Sequence, residues 1–190
     1  MNSIWQMWSG DVGPTVCDKI IRECEQLEPM AATVGGAGTE DGVNTEIRRS
    51  EVRWAGQIQW IKDLVFGYAA TANRNAFGFD ISYLSDVQYT IYKGTDEGYY
   101  NWHHDTFWGG ESAYDRKISV IIQLSGPTEY EGGEFDLETF KPGTEPRYQT
   151  FRLKKGEAIF FSSTQWHRVR PVTSGIRKSI VCWFTGPPYV

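Results

Sequence analysis

The sequence predicts a mainly β fold of the α+β kind, with a double-stranded β-helix (jelly roll, cupin-like) core and flanking N-terminal helices. Three observations carry that expectation. Helical spacing of apolar residues is confined to the first eighty positions, whereas later residues form many short runs rich in β-branched and aromatic side chains, punctuated by Gly, Pro and charge. Twenty glycines and eight tryptophans among 190 residues favour packed strands and tight turns over bundled helices. A chain of this length buries a core without disulfide or metal staples, so one domain is expected over 1–190, with a helical layer over about 1–80 and the jelly roll over about 81–190.

The elements follow in order. "PTVCDKIIRECEQL" places Val16, Ile20, Ile21, Cys24 and Leu27 on one helical face, with Asp11 or Ser9 as a cap and Pro29 as a stop. "AATVGGAGTEDGVNTEIRRS", residues 31–50, is rich in Gly, Thr and charge and reads as a mobile loop, a lid in the event that it closes over a site. "GQIQWIKDLVFGYAATANRNAF" returns to helical spacing through Ile58, Ile61, Leu64, Val65 and Tyr68. The strands expected next are "DVQYTIYKG", "RKISVIIQLS", "GGEFDLE", "YQTFRLKKGEAIFFSS" and "RKSIVCWFT", with Lys155-Gly156 as the turn of a hairpin. The paired glycines of "YEGGEF" mark a strand bend or bulge.

A formal charge of −5 gives no general attraction to phosphate backbones or anionic lipid, which argues against nucleic acid and membrane as partners. Cys17, Cys24 and Cys182 are an odd number without CxxC spacing and read as reduced, buried thiols. The start "MNSIWQMWSGDVGP" lacks the pattern of a signal peptide, and no stretch approaches the roughly 20 apolar residues of a membrane span, so a cytoplasmic protein is expected.

"YNWHHDTFWGG", residues 100–110, holds two of only three histidines, followed at once by an aspartate. On a strand His103 and Asp105 share a face, and His104 points away. A histidine and an aspartate two apart, joined by His167 after the apolar run "AIFFSS", make a two-histidine, one-carboxylate set that suits Fe(II) and leaves open positions for substrates and O2. Arg177 opens the last apolar strand, where its guanidinium fork can hold a carboxylate bidentately. Ser179 shares its face.

Here the chain resembles the Fe(II)- and 2-oxoglutarate-dependent oxygenases, in particular the prolyl 4-hydroxylase branch. The resemblance lies in "YKGTDEGYYNWHHD", "RKISVIIQLSGPTEYEGGEF" and "HRVRPVTSGIRKSIVCWF", in order over about residues 85–185. It implies His103, Asp105 and His167 as catalytic metal ligands, Arg177 as partner of the distal carboxylate of 2-oxoglutarate, and lesser cosubstrate roles for Tyr92, Ser179 and Trp183. Gln123 stands where many prolyl hydroxylases carry a tyrosine that holds 2-oxoglutarate; its amide can still donate a hydrogen bond.

The implied reaction couples oxidative decarboxylation of 2-oxoglutarate, to succinate and CO2, with hydroxylation of a C–H bond, using O2 and ascorbate (vitamin C) as reductant. A protein or peptide prolyl substrate is the first expectation, a free amino acid or other small molecule the second, and a non-catalytic cupin-like binding module the third. Arg49, Arg116 and Trp108 are candidate substrate contacts. Trp102 and Trp166 read equally well as rim packing.

Overall fold

In a computed structural model the structure describes residues 3–34, 42–106, 113–139 and 145–189. Two antiparallel sheets form the body. Their strands are β1 (Trp5–Trp8), β2 (Met30–Ala31), β3 (Arg48–Arg49), β4 (Glu51–Trp54), β5 (Tyr83–Lys93), β6 (Tyr99–His103), β7 (Asp115–Gln123), β8 (Tyr130–Gly132), β9 (Phe135–Glu138), β10 (Tyr148–Phe151), β11 (Ala158–Ser162), β12 (His167–Val169) and β13 (Val172–Gly186). The larger sheet runs β1-β11-β7-β13-β5-β4-β2, with β8 also paired to β13; the smaller runs β10-β9-β12-β6-β3. This is a double-stranded β-helix with α1 (Pro14–Cys24) and α2 (Gln59–Ala72) packed outside the larger sheet.

The larger sheet is buried on both faces, which explains the near-continuous apolar runs of β7, β11 and β13. On β13, Ile180, Cys182 and Phe184 face the helices, where they meet Ile20, Cys24, Ile61, Val65 and Ala69. The alternate residues Arg177, Ser179, Val181 and Trp183 face the interior between the sheets. The same division runs along β7, with Ile118, Val120 and Ile122 in the helix-side core and Ile121 in the interior one. All three cysteines are buried free thiols; burial pushes Cys24 up to about 12.

Several elements differ from the sequence expectation. Neither Asp11 nor Ser9 caps α1: Gly13 occupies the N-cap with no side-chain bond and Pro14 begins the helix, where its missing N–H costs nothing. Residues before position 80 are not only helical, because β1, β3 and β4 join the sheets. β1 and β4 are four residues long and β3 only two, runs too short to show a period. Nor is there a hairpin around Lys155-Gly156. β10 pairs with β9 in the smaller sheet and β11 with β7 and β1 in the larger, so the turn carries the chain between sheets. Gly156 is required there: its φ is +85° and a Cβ would lie 2.1 Å from the Val12 carbonyl oxygen.

Candidate metal centre

β6 and β12 lie side by side in the smaller sheet, with His103 directly opposite His167. Asp105 is placed differently from the alternation argument. It lies two residues beyond the end of β6, and its amide donates to the Ser163 carbonyl at 2.9 Å, just past β11. The Ser119 hydroxyl from β7 donates to Asp105 Oδ2 at 2.6 Å and lies 2.9 Å from Ser163 Oγ. The carboxylate is therefore held from the larger sheet and the imidazoles from the smaller one.

The three side chains converge. His103 Nε2 is 3.8 Å from Asp105 Oδ1, His167 Nε2 is 3.6 Å from Asp105 Oδ2, and all three ligand atoms lie within 4.8 Å of one another. His103 Nδ1 is 2.7 Å from the Asn101 carbonyl oxygen and His167 Nδ1 is 2.9 Å from that of Gln165. With each Nδ1–H donating to its carbonyl, each Nε2 presents a lone pair to the shared centre. Burial, reinforced by His167, holds His103 down at about 3, and burial also lowers His167. Burial opposes ionisation of Asp105, but the facing His167 and His103 and the Ser119 hydroxyl outweigh it and bring it to about 2. Two neutral imidazoles and one carboxylate at neutral pH are the protonation states that ligate a divalent transition metal.

A cavity of about 320 Å³ opens over this centre, lined by Tyr92, Tyr100, Ile121, Phe135, Phe161, Arg177 and others. Arg177 is 2% exposed and lies opposite Tyr92 in the β5–β13 register, its guanidinium carbon 5.6 Å from the Tyr92 ring centre. Among the described residues Arg177 Nε, Ser179 Oγ and Trp183 Nε1 are buried without a hydrogen-bond partner. Unpaired buried groups of this kind cost about 1–3 kcal/mol each, which a ligand carboxylate would offset. Gly133 makes room for Arg177: a Cβ there, at φ +66°, would stand 3.0 Å from Arg177 Cδ. Gln123 is fully buried but does not line this cavity. Its Nε2 donates to the Ser125 carbonyl and the Tyr130 hydroxyl, leaving Oε1 buried without a partner among the described residues. The donor set and the orphaned polar atoms thus fit Fe(II) and a dicarboxylate such as 2-oxoglutarate.

Of the candidate substrate contacts, Arg116 lines the cavity, its guanidinium carbon 4.0 Å from the Trp183 ring centre. Arg49 does not. On β3 it points outward, against the Tyr99 ring and the Thr45 and Asp96 carbonyls, and its neighbour Arg48 turns inward instead. The two-residue strand has the alternation that separates them, but its phase depends on which residue faces β6. Trp108 lies outside the described residues, as do 35–41 of the 31–50 segment; from the rest of it Ala31, Thr33, Val34 and Arg48 reach the cavity wall. Trp166 is exposed and meets His104 edge-on, and Trp102 packs on Tyr148 outside the sheet. His104 borders the cavity without joining the ligand cluster.

The sequence reading also passed over Tyr100 and Ser119. Tyr100 stacks on His103 at 3.5 Å, although an odd spacing of three positions would put them on opposite faces of a regular strand, because the β6–β12 pairing shifts register between His167 and Val169. Ser119 carried a usable signal, since it stands two residues before Ile121 on the interior face of β7.

Fold and site together define a β-helix protein built to hold a metal ion by two histidines and an aspartate beside a buried arginine. Residues 87–185 match the model of the 2OG-Fe(II) oxygenase superfamily, and the chain belongs to that family. It is 28% identical over 144 residues to a PKHD-type hydroxylase of Colwellia psychrerythraea, covering 75% of this chain and 62% of that one. A PKHD-type hydroxylase of Synechococcus is 33% identical over 96 residues, covering 50% and 40%. The chain therefore spans less than two thirds of the length of these relatives. Among solved structures, a Pseudomonas putida prolyl-4-hydroxylase superposes with a TM-score of 0.72 at 17% identity, covering 97% of this chain and 94% of that one. A Trichoplax adhaerens prolyl hydroxylase in complex with a hypoxia inducible factor peptide fragment gives 0.74 at 16%, covering 96% and 83%. At these identities the likeness shows the fold.

Proposed function

We propose that the protein is an Fe(II)- and 2-oxoglutarate-dependent dioxygenase that hydroxylates a prolyl residue of a protein or peptide. The observation that carries the oxygenase reading is the pairing of three converged ligand atoms with a buried arginine whose Nε has no partner among the described residues, in one cavity. The prolyl and peptide part is supported by the likeness in fold to the Pseudomonas putida prolyl-4-hydroxylase and to the Trichoplax adhaerens prolyl hydroxylase in complex with a peptide fragment.

In this reading His103, Asp105 and His167 hold the iron, and Arg177 holds the distal carboxylate of 2-oxoglutarate with help from Ser179 and Tyr92. When bound, iron, 2-oxoglutarate and O2 supply the oxidising chemistry that yields succinate, CO2 and a hydroxylated C–H bond. The protein contributes position and environment. The Asn101 and Gln165 carbonyls fix the imidazole tautomers, Ser119 fixes the rotation of the Asp105 carboxylate, and Phe135, Phe161 and Ile121 exclude water from the cavity. Trp183 Nε1 offers a further polar contact on the cavity wall, whereas Gln123 is turned to Ser125 and Tyr130 and takes no part. Ascorbate as reductant and a cytoplasmic location belong to the same proposal; no helix among the described residues is long and apolar enough to cross a membrane.

The test is anaerobic loading with Fe(II) and 2-oxoglutarate, then O2 and a library of proline-containing peptides, followed by mass spectrometry for gain of one oxygen. Iron-dependent succinate release is expected from the wild type and not from His167→Ala. Equal succinate release from both proteins would defeat the assignment.

A further inference from the structure

The charge lining the cavity is unbalanced. Among the described residues Arg48, Arg116 and Arg177 reach it, against the single carboxylate of Asp105, in a chain whose formal charge is −5. Loading does not correct this, because the two charges of Fe(II) and of a 2-oxoglutarate dianion cancel. With Arg177 assigned to 2-oxoglutarate, two guanidiniums remain on the side of the cavity near the metal ligands.

Arg48 is the more telling of the two. It is 7% exposed, and none of the ion pairs among the described residues involves it. Its Nε donates to Ser50 Oγ at 2.8 Å and Nη1 reaches the Thr33 carbonyl at 3.5 Å, so its contacts are neutral groups that aim the side chain. The guanidinium carbon sits 4.6 Å from the centre of the Tyr100 ring, which is itself stacked on the metal ligand His103. A buried guanidinium aimed by neutral partners into a cavity beside the metal ligands is suited to a carboxylate. Arg116 adds to the same field. Its ion pair is with Asp86, whose side chain is 47% exposed, at 3.9 Å, and its guanidinium lies over the Trp183 ring on the cavity wall.

We propose that the substrate carries a carboxylate, and that Arg48 binds it beside His103 while Arg116 reinforces the positive field. This rests on the dioxygenase reading above and adds a charge requirement to it. The carboxylate can belong to an acidic side chain next to the reacting residue in a peptide, or be the α-carboxylate of the reacting residue itself. Both present the same group to Arg48.

Two matched pairs of probes separate these sources. Acetyl-glycyl-prolyl-aspartyl-amide is compared with its asparaginyl counterpart, and N-acetylproline with N-acetylprolinamide, by calorimetric titration of protein loaded with Mn(II) and the inert analogue N-oxalylglycine. The acidic member of one pair should bind at least about tenfold more tightly than its neutral partner, and added salt should narrow the difference. Arg48→Gln should erase the preference and Arg48→Lys should restore part of it, with Mn(II) affinity unchanged in both. If Arg48→Gln does not fold, the wild-type pairs and their salt dependence decide alone. Equal affinity within both pairs, no binding by either acidic probe, or a preference that survives in folded Arg48→Gln overturns the inference. Iron-dependent succinate release, measured in parallel, keeps the two readings apart: its absence defeats the reaction, whereas its presence without a preference for the acids defeats only the carboxylate requirement.

Discussion

The two faces of the larger sheet are written by alternate residues of the same strands, yet they do opposite work. Toward the helices β7 and β13 present Ile118, Val120, Ile122, Ile180, Cys182 and Phe184, an apolar layer with no polar atom to satisfy. Toward the space between the sheets they present Ser119, Gln123, Arg177, Ser179 and Trp183, buried polar groups several of which lack a partner among the described residues. The comparison shows how a buried site is tolerated. Each unpaired group destabilises the fold, and the helix-side layer, gaining about 25 cal/mol per Å² of apolar surface buried, offsets that cost. Stability resides on one face of the sheet and chemistry on the other, one residue apart.

That division can be broken from either side. The largest effect is expected at the ligands: His103→Ala, Asp105→Ala or His167→Ala should abolish turnover and weaken Mn(II) binding by about 100-fold or more, while the urea midpoint stays near that of the wild type. Calorimetry and denaturation on the same samples check both halves.

On the opposite face, Phe184→Ala removes a fully buried ring and should cost about 3–5 kcal/mol of unfolding free energy, with Mn(II) affinity of the folded protein unchanged. A parallel loss of metal affinity would show that the faces are coupled.

A smaller effect tests the smaller sheet. Asp136 is fully buried on β9 and accepts from Arg168 at 2.7 Å, Arg170 at 2.8 Å and Thr150 at 2.7 Å. Burial alone would raise its carboxyl, but these bonds outweigh it and lower it. A carboxyl lowered on folding stabilises fully above its unfolded value, near pH 4, and loses that contribution as pH falls through the lower folded value. Asp136→Asn should cost about 2 kcal/mol at neutral pH and flatten the acid side of the stability profile.

Within the site, Arg177→Lys keeps the charge and loses the fork. The apparent 2-oxoglutarate requirement should rise about tenfold, the worth of one charge-assisted hydrogen bond, with metal affinity and folding unchanged. His104→Ala is expected to change Mn(II) affinity by less than about twofold, since His104 borders the cavity outside the ligand cluster. Loss of metal in this variant and retention in His103→Ala would reverse the ligand assignment.

What the residues alone determined was the type of fold and the identity of the ligand set. The change from helical spacing to short β-rich runs is local patterning, and it showed the β-helix with its outer helices. His103, Asp105, His167 and Arg177 stood out because residue type and order carry their chemistry. Tertiary structure decided everything that depends on pairing between distant segments. It placed β10 and β11 in different sheets although a turn joins them, because strand partners are chosen by packing across the molecule and not by the turn. It set the phase of β3, turning Arg48 rather than Arg49 into the cavity, since two residues hold no period from which to read a face. It brought Asp105 to the histidines through Ser163 and Ser119 from the larger sheet, and Tyr100 onto His103 through a register shift. A sequence can specify which side chains a site needs; only the closing of two sheets on each other fixes the distances at which those side chains meet.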